Sequence, residues 1–153
     1  FGVETRDELE RYCVNNQIED ISWKEDGTPV LKYVRNTTVK HPLTGDSCWF
    51  NHGTFFNVHS LEPELKHFFL SNFGQEGLPY NTYYGDGEDI EPEVIETLRA
   101  LYERHSTQFP WQKNDVLMLD NMLVAHGRRP FEGDRNILVT MTGHVDYQNT
   151  ETR

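Results

Sequence analysis

Leu9, Tyr12 and Cys13 recur at i, i+3 and i+4 among charged neighbours, a spacing that predicts an amphipathic helix over 4–16. Thr5 stands where an N-cap belongs, and Glu8 follows three places later to complete a capping box. Residues 18–23 and 30–39 alternate apolar and polar around the turn-forming Glu25-Asp26-Gly27, which predicts two strands joined by a tight turn. A loop at 41–46 leads into 47–58, rich in aromatic and β-branched residues and therefore read as a further strand. Leu65, Phe68 and Phe69 predict a helix over 62–73. Val94, Ile95, Leu98, Leu101 and Tyr102 predict another over 92–105, and both helices are expected to pack on the sheet. Between them, residues 78–87 carry too much Gly, Pro and Asn for regular structure and read as an ordered loop. The last third offers three short apolar runs, 116–119, 122–125 and 137–142, separated by turn residues and read as strands. The pattern is mainly β with flanking helices. Without repeats, low-complexity tracts or linkers, it is expected to form one domain over 1–153.

Charge narrows the partners. The chain has 153 residues with 14 Lys plus Arg against 25 Asp plus Glu, a net charge of −11. That balance argues against nucleic acid, whose binding needs a phosphate-neutralising patch, and against an anionic membrane surface. Its apolar runs fall far short of the roughly 20 residues that span a bilayer. Cys13 and Cys48 form no C-x-x-C pair and are too few for a disulfide-stapled secreted domain, and no signal-peptide pattern opens the chain at Phe1. A cytoplasmic location is the expectation.

The segment richest in chemistry begins at Asp115. It places His126 at the end of an apolar run, reverses through Pro130 and Gly133, and starts the next run at Arg135. Hairpin geometry would bring the His126 and Arg135 side chains to one mouth. A neutral imidazole ligates metals, and a guanidinium fork grips a carboxylate bidentately. On residue type alone, a satisfied structural histidine and a solvated arginine account for them better.

The surrounding motifs carry more. Trp111-Gln112-Lys113-Asn114-Asp115-Val116, Asp120-Asn121, His126-Gly127-Arg128 and Arg135 resemble the C-terminal signature of the taurine dioxygenase/TfdA-like family of iron(II)- and 2-oxoglutarate-dependent oxygenases. His41-Pro42-Leu43-Thr44-Gly45-Asp46 followed by Trp49-Phe50-Asn51 is similar to that family's His-Pro-x-Thr-Gly loop and succeeding strand. With Asn81-Thr82-Tyr83-Tyr84-Gly85-Asp86-Gly87, the resemblance points to the branch found beside nonribosomal peptide synthesis genes, and it covers nearly the whole chain. It implies a double-stranded β-helix (jelly roll) with iron in a two-His-one-carboxylate facial triad. In that scheme His126 is the distal iron ligand and catalytic residue, and Arg135 clamps the distal carboxylate of 2-oxoglutarate. Asn51 and Arg128 are the candidates for touching substrate, with Phe55 and Phe56 read as core. The implied cofactors are Fe(II) and 2-oxoglutarate, and the implied substrate is an amino acid, free or tethered to a carrier protein.

The sequence departs from the family pattern in one respect. The proximal ligands form a His-x-Asp or His-x-Glu motif upstream of the His-Pro-x-Thr-Gly loop, and none lies between Phe1 and His41. His144-Val145-Asp146 follows the distal histidine instead and reads as a surface feature. The chain therefore resembles the C-terminal half of a family member, with two of three iron ligands missing. Two rival readings stay open: a truncated non-catalytic module that dimerises to cover the sheet edges of half a barrel, and a small-molecule binder that keeps only the Arg135 clamp. His52, His59 and Glu62 have the residue types of a metal site, but the two histidines would face opposite sides of a common strand. Residues 86–91 lack the glycine and glutamate of a calcium loop and read as a turn before an acidic helix start.

Overall fold

The computed structural model describes residues 2–18, 20–134 and 136–143, and the chain divides into two compact units, Phe1–Arg35 and Asn36–Arg153. In the first, helix α1 (Arg6–Asn15) begins at Thr5, whose hydroxyl accepts from Glu8 N while the Glu8 carboxylate accepts from Thr5 N, the reciprocal box read from the sequence. Strands β1 (Asp20–Trp23) and β2 (Pro29–Lys32) pair antiparallel from Asp20↔Lys32 to Trp23↔Pro29. Their turn depends on Gly27 at φ +83° and on Asp26, which accepts from Thr28 N at 2.9 Å. Leu9, Cys13 and Ile18 form the buried core, with Val3, Tyr12, Ile21, Trp23 and Leu31 packed around it. Arg6 lies 4.4 Å over the Trp23 ring.

The second unit is built on an antiparallel hairpin of β3 (Thr38–Lys40) and β4 (Ser47–Trp49), in register from Thr38↔Trp49 to Lys40↔Ser47. Val39 and Cys48 on this hairpin are buried against Met122, with Phe50 packed beside them. A 3₁₀ turn (Val58–Ser60) packs against helix α3 (Pro92–Arg104), on which Ile95 is completely buried. Trp49 Nε1 donates to the Tyr102 hydroxyl at 2.8 Å, tying β4 to α3. Loop 81–82 is stitched to 53–58: Asn57 Nδ2 donates to the Thr82 carbonyl at 3.1 Å, the Thr82 hydroxyl to the Gly53 carbonyl at 2.7 Å, and Val58 N to Asn81 Oδ1 at 3.0 Å. Residues 83–89 close a turn in which Glu88 N donates to Asp86 Oδ1 and Gly87 takes φ +92°, as the turn reading of the acidic stretch requires.

Several expected elements are shorter or absent. The run over 30–39 splits into β2 and β3, and the strand expected over 47–58 stops at Trp49, because residues 52–57 coil into turns in which Phe56 N donates to the His52 carbonyl. Helix α2 (Pro63–Phe73) forms as its spacing predicts, yet it buries none of its residues. The runs 116–119, 122–125 and 137–142 are not strands. Among the described residues no ladder pairs them, and Val116, Met118 and Leu138 are more than nine-tenths exposed. An apolar run supplies strand composition but no partner, and backbone N–H and C=O groups make a strand only when a neighbour pairs with them. The described residues thus form two two-stranded sheets and no closed barrel. None of the described helices is long and apolar enough to cross a membrane.

Candidate functional site

His41 opens the His-Pro-x-Thr-Gly loop and is only 5% exposed. Its Nδ1 accepts from the backbone N–H of Leu43 at 3.3 Å and of Thr44 at 3.1 Å. A ring nitrogen that accepts two N–H groups carries no proton, so the neutral ring is protonated on Nε2, which donates to Asp120 Oδ2 at 2.9 Å. The other carboxylate oxygen of Asp120 accepts from Met122 N at 3.0 Å and Leu123 N at 3.4 Å, and the Asp120 carbonyl accepts from Val124 N at 3.1 Å. The hydrogen bond from His41, followed by that from Met122 N, holds the Asp120 carboxyl below the usual carboxylate range. Residues 120–124 are thereby wound into a turn and fastened to the β3–β4 hairpin.

His126 follows that turn and is exposed, as are Arg128 and Arg129. Arg128 stacks over the Phe131 ring at 5.2 Å, and Arg129 pairs with Glu103 on α3. Arg135 lies outside the described residues, as does His144-Val145-Asp146, so the expected pairing of His126 with Arg135 is not described. Asn51 is committed to backbone at both ends of its amide: Nδ2 donates to the Thr37 carbonyl and Oδ1 accepts from Gly53 N, each at 2.9 Å. Those bonds use one of its two N–H donors and one of its two acceptor lone pairs, which fixes the amide in place. Phe55, expected in the core, is three-quarters exposed, and Phe56 makes edge contacts with His52, Phe55 and Tyr80.

Because the strand ends at Trp49, the argument from opposite strand faces does not apply to His52 and His59. His59 sits in the 3₁₀ turn, where its Nδ1 accepts from Lys66 Nζ at 2.7 Å. Burial and then the Lys66 charge lower its pKa, while Asp89 and Glu93 act in the opposite sense. With the folded value depressed, the unfolded chain binds protons first. The stability contributed by neutral His59 is therefore complete above the ordinary imidazole range and is lost as pH falls through it. Lys66→Met is expected to raise the His59 titration midpoint in a ring-proton NMR titration without restoring it fully, because burial remains. An unmoved midpoint would show that the ammonium does not act on this ring.

Iron needs donors that converge. Among the described residues no three His, Cys, Asp or Glu side chains do so, and the donors fit the family's metal in type at His126 but not in number. A cleft of about 330 Å³ runs along α3 beside Glu96, Arg99, Tyr102 and Glu103, and none of His126, Arg128 or Asn51 lines it. Sequence spacing did not mark His41 and Asp120 as partners, since 79 positions separate them. The local signal was half visible, in a histidine followed at +2 and +3 by free N–H groups and an aspartate heading a turn.

Comparison with known proteins adds lineage to this geometry. Residues 3–142 match the family model described as "Taurine catabolism dioxygenase TauD, TfdA family". The chain is 40% identical over 145 residues to the dapdiamide synthesis protein DdaC of Enterobacter agglomerans, covering 95% of this chain and 44% of that protein. It is 34% identical over 58 residues to a clavaminate synthase-like protein of Arabidopsis thaliana, covering 38% of this chain and 18% of that one. The chain thus spans less than half the length of these curated relatives. No solved structure matches it.

Proposed function

The chain belongs to the taurine catabolism dioxygenase TauD, TfdA family, and from that premise we propose that it is the C-terminal portion of an iron(II)- and 2-oxoglutarate-dependent hydroxylase of jelly-roll fold. Its substrate is an amino acid, free or carried on a partner protein, in natural product biosynthesis in the cytoplasm. The observation that carries this reading is the likeness, over 95% of this chain, to a protein whose name places it in dapdiamide synthesis. His126 is proposed as one iron ligand, with the other two supplied from outside the described residues. Arg135 is proposed to clamp the distal carboxylate of 2-oxoglutarate, a task suited to its planar fork. Arg128 and Asn51 are proposed to contact substrate. When bound, Fe(II) and 2-oxoglutarate would supply the oxidising chemistry, while the chain supplies ligand, clamp and orientation.

The test is succinate formation from 2-oxoglutarate with Fe(II) and oxygen, run on the chain by itself and joined to whatever its gene encodes upstream of Phe1. Arg135→Ala is expected to raise the 2-oxoglutarate requirement at least about tenfold with a smaller effect at saturation, as loss of a binding contact does. An unchanged requirement assigns the clamp to another residue, and no succinate in either form rejects the oxygenase reading.

One observation favours a second reading. The unpaired apolar runs that expose Val116, Met118, Leu138, Val139 and Met141 suit β-pairing with another copy, as a non-catalytic assembly module would require. Sedimentation distinguishes them: a concentration-dependent dimer without turnover supports the module, and a monomer removes it.

A further inference from the structure

The turn that precedes His126 is fastened twice to the same hairpin. Asp120 reaches the His41 ring at the head of the β3–β4 loop, and two residues later Met122 is buried between Val39 on β3 and Cys48 on β4. The polar tether is specific in a way the apolar one is not. His41 Nδ1 is occupied by Leu43 N and Thr44 N, so the ring presents only its Nε2–H outward, and Asp120 must accept. The same carboxylate caps the turn through Met122 N and Leu123 N, so ring, carboxylate and turn form one relay. On the far side of His126, Arg129 pairs with Glu103 on α3, an exposed contact of the kind that contributes little by itself. His126 therefore lies on a short span whose upstream end is fixed by buried groups.

We propose that His41 is a positioning residue for His126: its ring fixes Asp120, and through the 120–124 turn sets where the chain leaves the hairpin towards the candidate ligand. The functional side of the proposal rests on the reading of His126 above, but its geometric side is tested separately.

The experiment is NMR on the full chain labelled with nitrogen-15. Long-range proton–nitrogen correlations report the histidine tautomers, and backbone amides report the span 122–127. In the unaltered chain His41 is expected as the Nε2–H tautomer. His41→Ala should displace the amide signals of 122–127 while those of α3 and of the β1–β2 hairpin stay in place. His41→Gln, which keeps a donor of similar reach, should return them towards their original positions. Asp120→Asn should act like His41→Ala, because whichever way the amide turns its NH₂ meets either Nε2–H or Met122 N–H. If His41→Ala does not fold, the Asn and Gln variants decide alone. An Nδ1–H tautomer, unmoved 122–127 signals in Asp120→Asn, or no return in His41→Gln overturns the proposal. Failure of the functional reading shows elsewhere, as unchanged succinate formation in His126→Ala, and leaves these spectra as they are.

Discussion

Replacing Ile95 by alanine is expected to destabilise the unit spanning 36–153 by about 2–5 kcal/mol, the range for truncating a large aliphatic side chain in a packed interior. Ile95 is completely buried, whereas Val94, Leu101 and Tyr102 on the same helix remain 37–44% exposed. The cost therefore concentrates on one position of the apolar stripe. Helix α3 reaches the hairpin through Trp49 and Tyr102, so loosening it should also disturb the indole. Urea denaturation followed by tryptophan fluorescence measures the effect, and Val94→Ala serves as the exposed control, expected to cost much less. Equal effects at the two positions would mean that Ile95 does not anchor the helix.

Removing the imidazole of His126 is expected to leave stability unchanged and to eliminate turnover in the succinate assay. Residue 126 is exposed in a segment without regular structure that follows the 120–124 turn. Deleting its ring therefore removes no burial, and the thermal midpoint of His126→Ala should coincide with that of the unaltered chain. Turnover should fall more than about 100-fold, since loss of groups that merely support a metal ligand already costs about 10–100-fold. Full activity in the folded variant would strip His126 of its proposed role. A fallen midpoint would instead make it a structural histidine.

What could be read from the sequence was decided by distance along the chain. The capping box of Thr5 and Glu8 and the turn at Gly27 involve residues within a few positions of each other, and both form as read. The bounds of α2 and α3 fall within a residue or two of their apolar spacing, because 3.6-residue periodicity is a local property. Strand length was less legible. The run after Ser47 has strand composition to Val58, yet it coils after Trp49 around Asn51, whose side chain binds the backbone at Thr37 and Gly53. The runs after Val116 have the apolar composition of strands and stay unpaired among the described residues, since composition cannot create the neighbouring strand. At the site, the motifs pointed to His126 by resemblance, while the contact of His41 with Asp120 depends on folding and on a tautomer that no spacing rule encodes.

The double fastening at Asp120 and Met122 can also be expressed as a concentration. His126 is four residues beyond Met122, so a fully extended link reaches about 14 Å from that anchor. One imidazole confined to a sphere of that radius is present at about 0.1 M, well above the millimolar level typical of short flexible linkers. A group seated on the β3–β4 hairpin thus meets the His126 ring as though it were dissolved in concentrated imidazole, and releasing both anchors would dilute that ring without altering a single atom of it.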